Sequence, residues 1–258
     1  MNILAIIQAR TGSSRLPGKV LLKLGDKTVL EHVISRVNKS RFIDEAIVAT
    51  TINHSDLGIV KLCADNGIRV FCGSEEDVLD RFFQLAKIVQ PDQIVRVTAD
   101  CPLIDHGIID EVIQKHLDTK ADYTSNVIIE TYPDGEDVEV FNFESLRKAW
   151  KDSNAMSTRE HVTQHIRNHP QEFKIVSHEH ASNLSKKRWT LDNKEDYEFI
   201  KIIYDELYAG DPFFRMEAVL KLLEKRPELE EINAFISRNE GLKKSLREDR
   251  ILDKKPEE

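Results

Sequence analysis

Short apolar runs alternate with helix-spaced apolar positions through the first half of the chain. Ile3 to Ile7 is an unbroken apolar run that gives way, after Gln8, to a stretch of Gly, Ser and Pro. Val29, Val33, Ile34 and Val37 then recur three and four apart, the spacing of one helix face. The apolar run Ala46 to Ala49 predicts a second strand, and Ile59, Val60 and Leu62 sit in the helical stretch that follows. Ile68, Val70 and Phe71 predict a third strand. Val78, Phe82, Leu85 and Ala86 share one face of the next helix, and Ile94, Val95 and Val97 predict a fourth strand. Strand and helix alternating at this spacing predict a mostly parallel α/β sheet with helices on both faces. In such a sheet the ligand site lies beyond the carboxyl ends of the strands, so the loops after Gln8, Thr50, Cys72 and Thr98 should share one rim.

The second half is less regular. Asp137 to Phe141 alternates acidic and apolar residues, as a half-buried strand does. Residues 143–151 and 158–168 are expected to be helical, and Phe173 to Val176 and Trp189 to Leu191 to be strands. The stretch 194–240 reads as a helical extension with breaks near Gly210–Pro212 and Pro227, and the charge-rich tail 241–258 as frayed. No internal repeat or low-complexity linker appears. The expected organisation is one domain over 1–240.

Composition narrows the classes. A formal net charge of −8 over 258 residues argues against a nucleic-acid partner, which demands a basic surface. Three cysteines, Cys63, Cys72 and Cys101, lack metal-ligand spacing and make no disulfide framework. No segment has the apolar length of a membrane span, and the N-terminus lacks a signal-peptide core, so a cytoplasmic protein is expected.

The densest candidate chemistry follows the first strand, in Gln8-Ala-Arg-Thr-Gly-Ser-Ser-Arg-Leu-Pro-Gly-Lys19. Glycines let backbone approach a ligand, successive N–H groups and hydroxyls cradle phosphate oxygens, and Arg10, Arg15 and Lys19 supply charge. It is neither a Walker A loop nor a GxGxxG fingerprint. A solvated basic surface loop is the plain alternative. Asp100, after the fourth strand, is placed to hold a metal or to cap a turn, with Asp105 the better cap for a helix starting near His106. Asp192 lies just past another apolar stretch, where Asp192 or Asn193 would cap the following helix. No GxSxG supports a hydrolytic triad, and no Asp-x-Asp closes an early strand.

QARTGSSRLPGK (8–19) and VTADCPLID (97–105) resemble the signatures of the cytidylyltransferases that make CMP-activated acid sugars. The nearest branch is that of spore coat polysaccharide biosynthesis. VATT (48–51), GSEEDVLDRF (73–82), YPDGEDVEVF (132–141), REHVT (159–163) and RWTLDNKEDYEF (188–199) extend the resemblance over about residues 2–205. It implies a nucleotide-diphospho-sugar transferase type of fold, CTP as nucleotide, Mg²⁺ as cofactor and an acidic sugar as acceptor. It further implies that Ala9, Arg10, Thr11, Gly12, Ser13, Ser14, Arg15 and Lys19 wrap the triphosphate, with Lys19 offsetting charge on departing pyrophosphate. Asp100 and Asp192 would hold the metal, and Arg10, Lys19, Asp100 and Asp192 would carry catalysis. Ala99 stands where the family often has Gly or a Ser-like residue, and Lys194 where it has Pro.

The remaining assignments have plain alternatives. Arg81 would help recognise the base, or form an ion pair, and Thr98 would bond the ligand or only end a strand. Asn126 would sit near the acceptor or just end a strand, and Glu139, Arg159 and His161 would sit on the acceptor side. Glu139, with Asp134, Glu136 and Asp137, reads first as a solvated strand face, and His161 has the alternative of a structural histidine at a helix start. By resemblance a homodimer is expected, with 132–176 as its arm. The competing classes are a glycosyltransferase acting on a nucleotide sugar and a non-catalytic nucleotide-binding protein.

Overall fold

The computed structural model describes residues 1–238 and 240–249. Strand β1 (Ile3–Gln8) leads through the loop to a small hairpin, β2 (Lys23–Leu24) and β3 (Lys27–Thr28), and then to α1 (Val29–Val37). There follow β4 (Glu45–Thr51), α2 (Leu57–Asp65), β5 (Val70–Gly73), α3 (Val78–Val89), β6 (Gln93–Thr98) and α4 (His106–Thr119). The second half adds β7 (Tyr123–Ser125), β8 (Glu139–Asn142), α5 (Phe143–Asp152), α6 (Met156–Glu160), α7 (Gln164–Asn168) and β9 (Ile175–Ser177). It ends in α8 (Lys194–Leu207), α9 (Met216–Lys225) and α10 (Glu240–Arg247).

The main sheet runs β5-β4-β1-β6-β8-β7-β9, and only β8 is antiparallel to its neighbours. The period-two geometry of β1 sorts its side chains. Ile3, Ala5 and Ile7 face a core packed by α1, α2, α4, α8 and α9, while Leu4 and Ile6 face α3, α5 and α7. Both faces are covered, which is why the parallel strands read as continuous apolar runs. In the second core Trp150 stacks on Phe83 with ring centroids 4.1 Å apart, and its indole N–H donates to Asp80 at 2.8 Å.

Several expectations are corrected. Trp189 to Leu191 is not a strand; Arg188 alone bridges to Asp134, and the segment is held by loop hydrogen bonds. The expected helix 158–168 is two short helices, broken where Val162 takes a positive φ of 52°. Strand β7 has no apolar signature; its Tyr-Thr-Ser is buried between β8 and β9. Within the segment 132–176, Tyr132, Asp134, Glu136 and the first three residues of β8 are buried in this chain. The charged tail is helical over 240–247, as α10, and residues 250–258 lie outside the described residues.

Helix α4 is tied to the sheet by a buried histidine. His116 pairs its Nδ1 with Thr124 Oγ1 at 3.0 Å and its Nε2 with Gln93 Oε1 at 2.8 Å. Burial pushes its pKa from 6.5 down to about 4. The unfolded chain therefore binds the extra proton first. The stability from a neutral His116 is complete above about pH 6.5 and is lost as pH falls toward 4, up to about 3 kcal/mol. The urea stability gap between the wild type and His116→Gln should therefore narrow steadily from pH 7.5 to pH 4.5. A gap independent of pH would exclude His116 as the titrating group.

Candidate active site

A cavity of about 740 Å³ opens at the carboxyl ends of β1 and β6. Its floor is the loop 9–19, and the fold of that loop is set by one buried carboxylate. Asp56 Oδ1 accepts from the Thr11 backbone N–H at 2.7 Å and from the Thr11 hydroxyl at 2.6 Å, and Asp56 Oδ2 accepts from Thr51 Oγ1 at 2.5 Å. Burial raises the Asp56 carboxyl, but the bonds from Thr11 and Thr51 outweigh it and hold its pKa below the usual value. The Thr11 carbonyl then accepts from the backbone N–H groups of Ser13 and Gly18. Gly18 has φ 69°, a left-handed position that glycine tolerates best, and it turns the chain so that Lys19 points into the cavity.

Lys19 is the centre of the site. Its ammonium donates to Asp100 Oδ2 at 2.6 Å and to Asp192 Oδ1 at 2.7 Å. Burial pulls the Lys19 pKa down, the two carboxylates push it up by more, and the net shift is upward. Burial likewise raises Asp100, and the Lys19 ammonium more than reverses that, leaving Asp100 below the ordinary carboxylate value. The two aspartates are brought together by backbone. The Leu191 N–H donates to the Asp100 carbonyl at 2.8 Å, and the Trp189 N–H donates to the Asp134 carbonyl at 2.6 Å. Arg15 pairs with Asp192 at 3.0 Å from the loop side, and Arg188 approaches Asp192 at 3.4 Å from the other.

Asp100 and Asp192 are the residues able to hold a divalent cation, because one oxygen of each already converges on a single ammonium. Among the described residues no cluster of three or more His, Cys, Asp or Glu could hold a metal unaided. Two carboxylates, with the remaining positions left to phosphate and water, is the donor set Mg²⁺ favours.

Of the expected nucleotide residues, Arg10, Gly12, Ser13, Ser14, Arg15, Lys19 and Thr98 line the cavity. Ala9 is buried and Thr11 is spent on Asp56, so these two shape the loop from behind. Arg81 is fully buried, donating to the Ser74 carbonyl at 2.8 Å, and does not line the cavity. On the acceptor side the geometry also disagrees with expectation. Asn126 is a buried strut, donating to the Glu136 carbonyl at 2.6 Å and accepting from the Val138 N–H at 2.9 Å. Arg159 is buried against Asp77 and the Trp150 carbonyl. His161 ends α6 rather than starting a helix, and its buried Nε2 has no hydrogen-bond partner among the described residues, with Glu160 Oε2 3.8 Å away. Glu139 is buried with Arg96, Tyr123 and Thr163 and is not a solvated face. Asp105 and Asn193 take the helix-capping roles, leaving Asp100 and Asp192 to the site.

The rest of the wall includes residues assigned no role from the sequence. Gln8 lines the cavity from β1, Ser157 and Glu160 from α6, and Glu240 and Ser245 from α10. Helix α10 is fastened across the mouth. Glu240 accepts from Arg15 Nη1 at 2.8 Å, Ser245 Oγ donates to Glu160 at 2.6 Å, and Asp249 accepts from the Ser157 hydroxyl at 2.7 Å.

The model of the cytidylyltransferase family matches residues 4–239. The chain belongs to this family. It is 39% identical over 239 residues to the spore coat polysaccharide biosynthesis protein SpsF of Bacillus subtilis, covering 88% of this chain and 96% of that one. A 3-deoxy-manno-octulosonate cytidylyltransferase of Geobacter sulfurreducens is 38% identical over 115 residues, 44% of each chain. The solved cytidylyltransferase of Leptospira borgpetersenii superposes with a TM-score of 0.85 at 32% identity, covering 89% of this chain and 96% of that one. The mostly parallel sheet is thus the Rossmann-like nucleotidyltransferase fold, and the chain is a nucleotidyltransferase. Family membership also decides between the competing classes. Nucleotidyl transfer replaces both glycosyl transfer and passive nucleotide binding.

Proposed function

We propose that the protein transfers CMP from CTP to the hydroxyl of an acidic sugar, releasing pyrophosphate, to supply an activated precursor for surface polysaccharide. The observation that carries this is the convergence of Lys19, Asp100 and Asp192 at the floor of a cavity walled by the loop 9–19. Asp100 and Asp192 would hold Mg²⁺. Bound there, the ion would supply Lewis-acid stabilisation of charge on the phosphates. Ser13, Ser14, Arg15 and the loop backbone would grip the β- and γ-phosphates. Lys19, released from its carboxylates as the metal binds, would neutralise the departing pyrophosphate. The acceptor hydroxyl would attack the α-phosphorus in line and lose its proton, with positioning and electrostatics supplying most of the rate.

The acidic acceptor is supported by the resemblance of the first loop and by the substrate in the name of the Geobacter relative. The test is to incubate the protein with CTP and Mg²⁺ and either 3-deoxy-manno-octulosonate, N-acetylneuraminate or neutral hexoses, and to search for CMP-linked products by mass. An adduct with an acidic sugar supports the proposal; an adduct confined to neutral sugars contradicts it. A homodimer belongs to the same proposal, and a monomeric mass by light scattering would remove it.

The contact between Arg15 and Glu240 opposes nucleotide entry, since a triphosphate needs the same guanidinium. Glu240→Gln should tighten CTP binding several-fold at low salt, and the gain should shrink at 0.5 M NaCl as exposed charges are screened. Calorimetric titration at both salt concentrations checks this. Unchanged or weaker binding at low salt would show that Glu240 does not compete for Arg15.

A further inference from the structure

Gln8 is the last residue of β1, half-buried, with its side chain on the wall of the cavity. Behind it lies a polar relay within the second core. Arg96 Nη2 donates to Gln8 Oε1 at 3.2 Å, and Arg96 Nη1 donates to Glu139 Oε1. Glu139 Oε2 accepts in turn from the Tyr123 hydroxyl at 2.7 Å and from Thr163 Oγ1. Arg96 and Glu139 are both largely buried, so neither swings freely.

Donor chemistry fixes the orientation of the amide. A guanidinium has five N–H donors and no acceptor. The only atom that Gln8 can turn toward Arg96 is therefore its carbonyl oxygen, which leaves the NH₂ unspent on a residue that lines the cavity. No hydrogen-bond partner for Gln8 Nε2 exists among the described residues. A free glutamine offers a ligand either a donor or an acceptor; this one offers donors alone.

The place of Gln8 indicates which part of a ligand it meets. Lys19, Asp100 and Asp192 gather at the far end of the loop, where the phosphates would lie. Gln8 and Arg10 stand at its beginning, and Arg10 turns toward Glu75. A nucleotide laid along the loop with its phosphates at Lys19 has its nucleoside beside Gln8.

We propose that Gln8 reads the nucleoside, its amide oriented by Arg96 and Glu139 so that it selects a base presenting a lone pair, as cytosine does at O2 and N3. This rests on the assignment of the cavity as the CTP site. A base with an N–H at that position would face another N–H, leaving neither paired with the other, which is a costly arrangement in polar recognition. Arg96 and Glu139 act through Gln8 as positioning residues.

The experiment compares Mg²⁺–CTP with Mg²⁺–tripolyphosphate, a ligand with no nucleoside, by calorimetric titration of the full chain. Gln8→Met keeps the length of the side chain and removes the donor. It should weaken CTP about tenfold and leave tripolyphosphate within about twofold of wild type. Arg96→Met should act in the same direction, and Arg96→Lys, which still donates, should restore most of the CTP affinity. Thermal melting confirms that each variant folds; Gln8→Met, at a half-buried position, keeps the test open if the Arg96 variants do not. Wild-type CTP affinity in Gln8→Met, or equal weakening of both ligands, overturns the proposal. A wild type that binds tripolyphosphate but gains nothing from the nucleoside overturns it while sparing the phosphate site. A wild type that binds neither overturns the cavity assignment as well.

Discussion

Asp100→Asn is expected to lower CTP-dependent pyrophosphate release roughly 10³-fold while the chain stays folded. Asparagine has the same shape and still accepts from Lys19, so the contact at 2.6 Å has a replacement. What it loses is the charge. In the wild type burial works against that charge, and the adjacent ammonium keeps Asp100 ionised at neutral pH nonetheless. Losing one of the two proposed anionic metal ligands would remove several kcal/mol of charge stabilisation at the α-phosphate, and each ~1.4 kcal/mol is about tenfold in rate. Asp192 remains tied to Lys19, Arg15 and Arg188, so the local frame persists. The decisive comparison is turnover against Mg²⁺-free CTP affinity. Turnover should collapse and affinity should hold. Undiminished turnover would remove Asp100 from the metal assignment.

Gly135→Ala should be the most destabilising single-methyl change near the site, by about 3–5 kcal/mol. Gly135 has φ 112°, where an L side chain is strained. An added Cβ would also lie 2.6 Å from the backbone N of Thr190 and 2.6 Å from the backbone C of Trp189. These are main-chain atoms and cannot step aside as a flexible side-chain end does. Strain and overpacking each cost about 1–3 kcal/mol, and the methyl incurs both. The displaced backbone is the one that delivers Asp192, two residues on, to Lys19. Chemical denaturation would register the loss of stability, and CTP turnover below the midpoint should fall as well. A variant as stable as wild type would show that the 134–136 turn does not brace 188–192.

These two positions differ in how far they could be read in the sequence. The apolar runs ending at Gln8, Thr51, Gly73 and Thr98 gave the parallel half of the sheet because strands covered on both faces must be apolar throughout. The loop 9–19 was legible for its chemistry, with three cations, two serines and two glycines between a strand and a buried helix start. The pairing of Asp100 with Asp192 was not. Ninety-two positions separate them, and family resemblance alone joined them before the Leu191–Asp100 backbone bond did so in space.

The misreadings share a cause. Glu139 and Arg159 are polar residues within motifs and Asn126 lies outside them, and periodicity cannot tell a polar group facing ligand from one satisfied inside the core. Strand β7 has no apolar run to mark it, because Thr124 and Ser125 are buried beside Tyr123 and Thr124 is satisfied by His116. Asp56 carries no signal of its own in the sequence, because its partners, Thr11 and Thr51, come from two other segments. Helix α10 reads as solvated tail until its acidic Glu240 is seen against Arg15.

The central claim is that the cavity floored by Arg15, Lys19, Asp100 and Asp192 is a CTP–Mg²⁺ site, and it can be tested without knowing the acceptor. The measurement is calorimetric titration of CTP into the full chain, with and without Mg²⁺, for the wild type and for Lys19→Met. The account predicts saturable binding of one CTP per chain, strengthened by Mg²⁺ and weakened at least about tenfold in Lys19→Met. Binding that is indifferent to both Mg²⁺ and Lys19, or no binding of CTP, would contradict it.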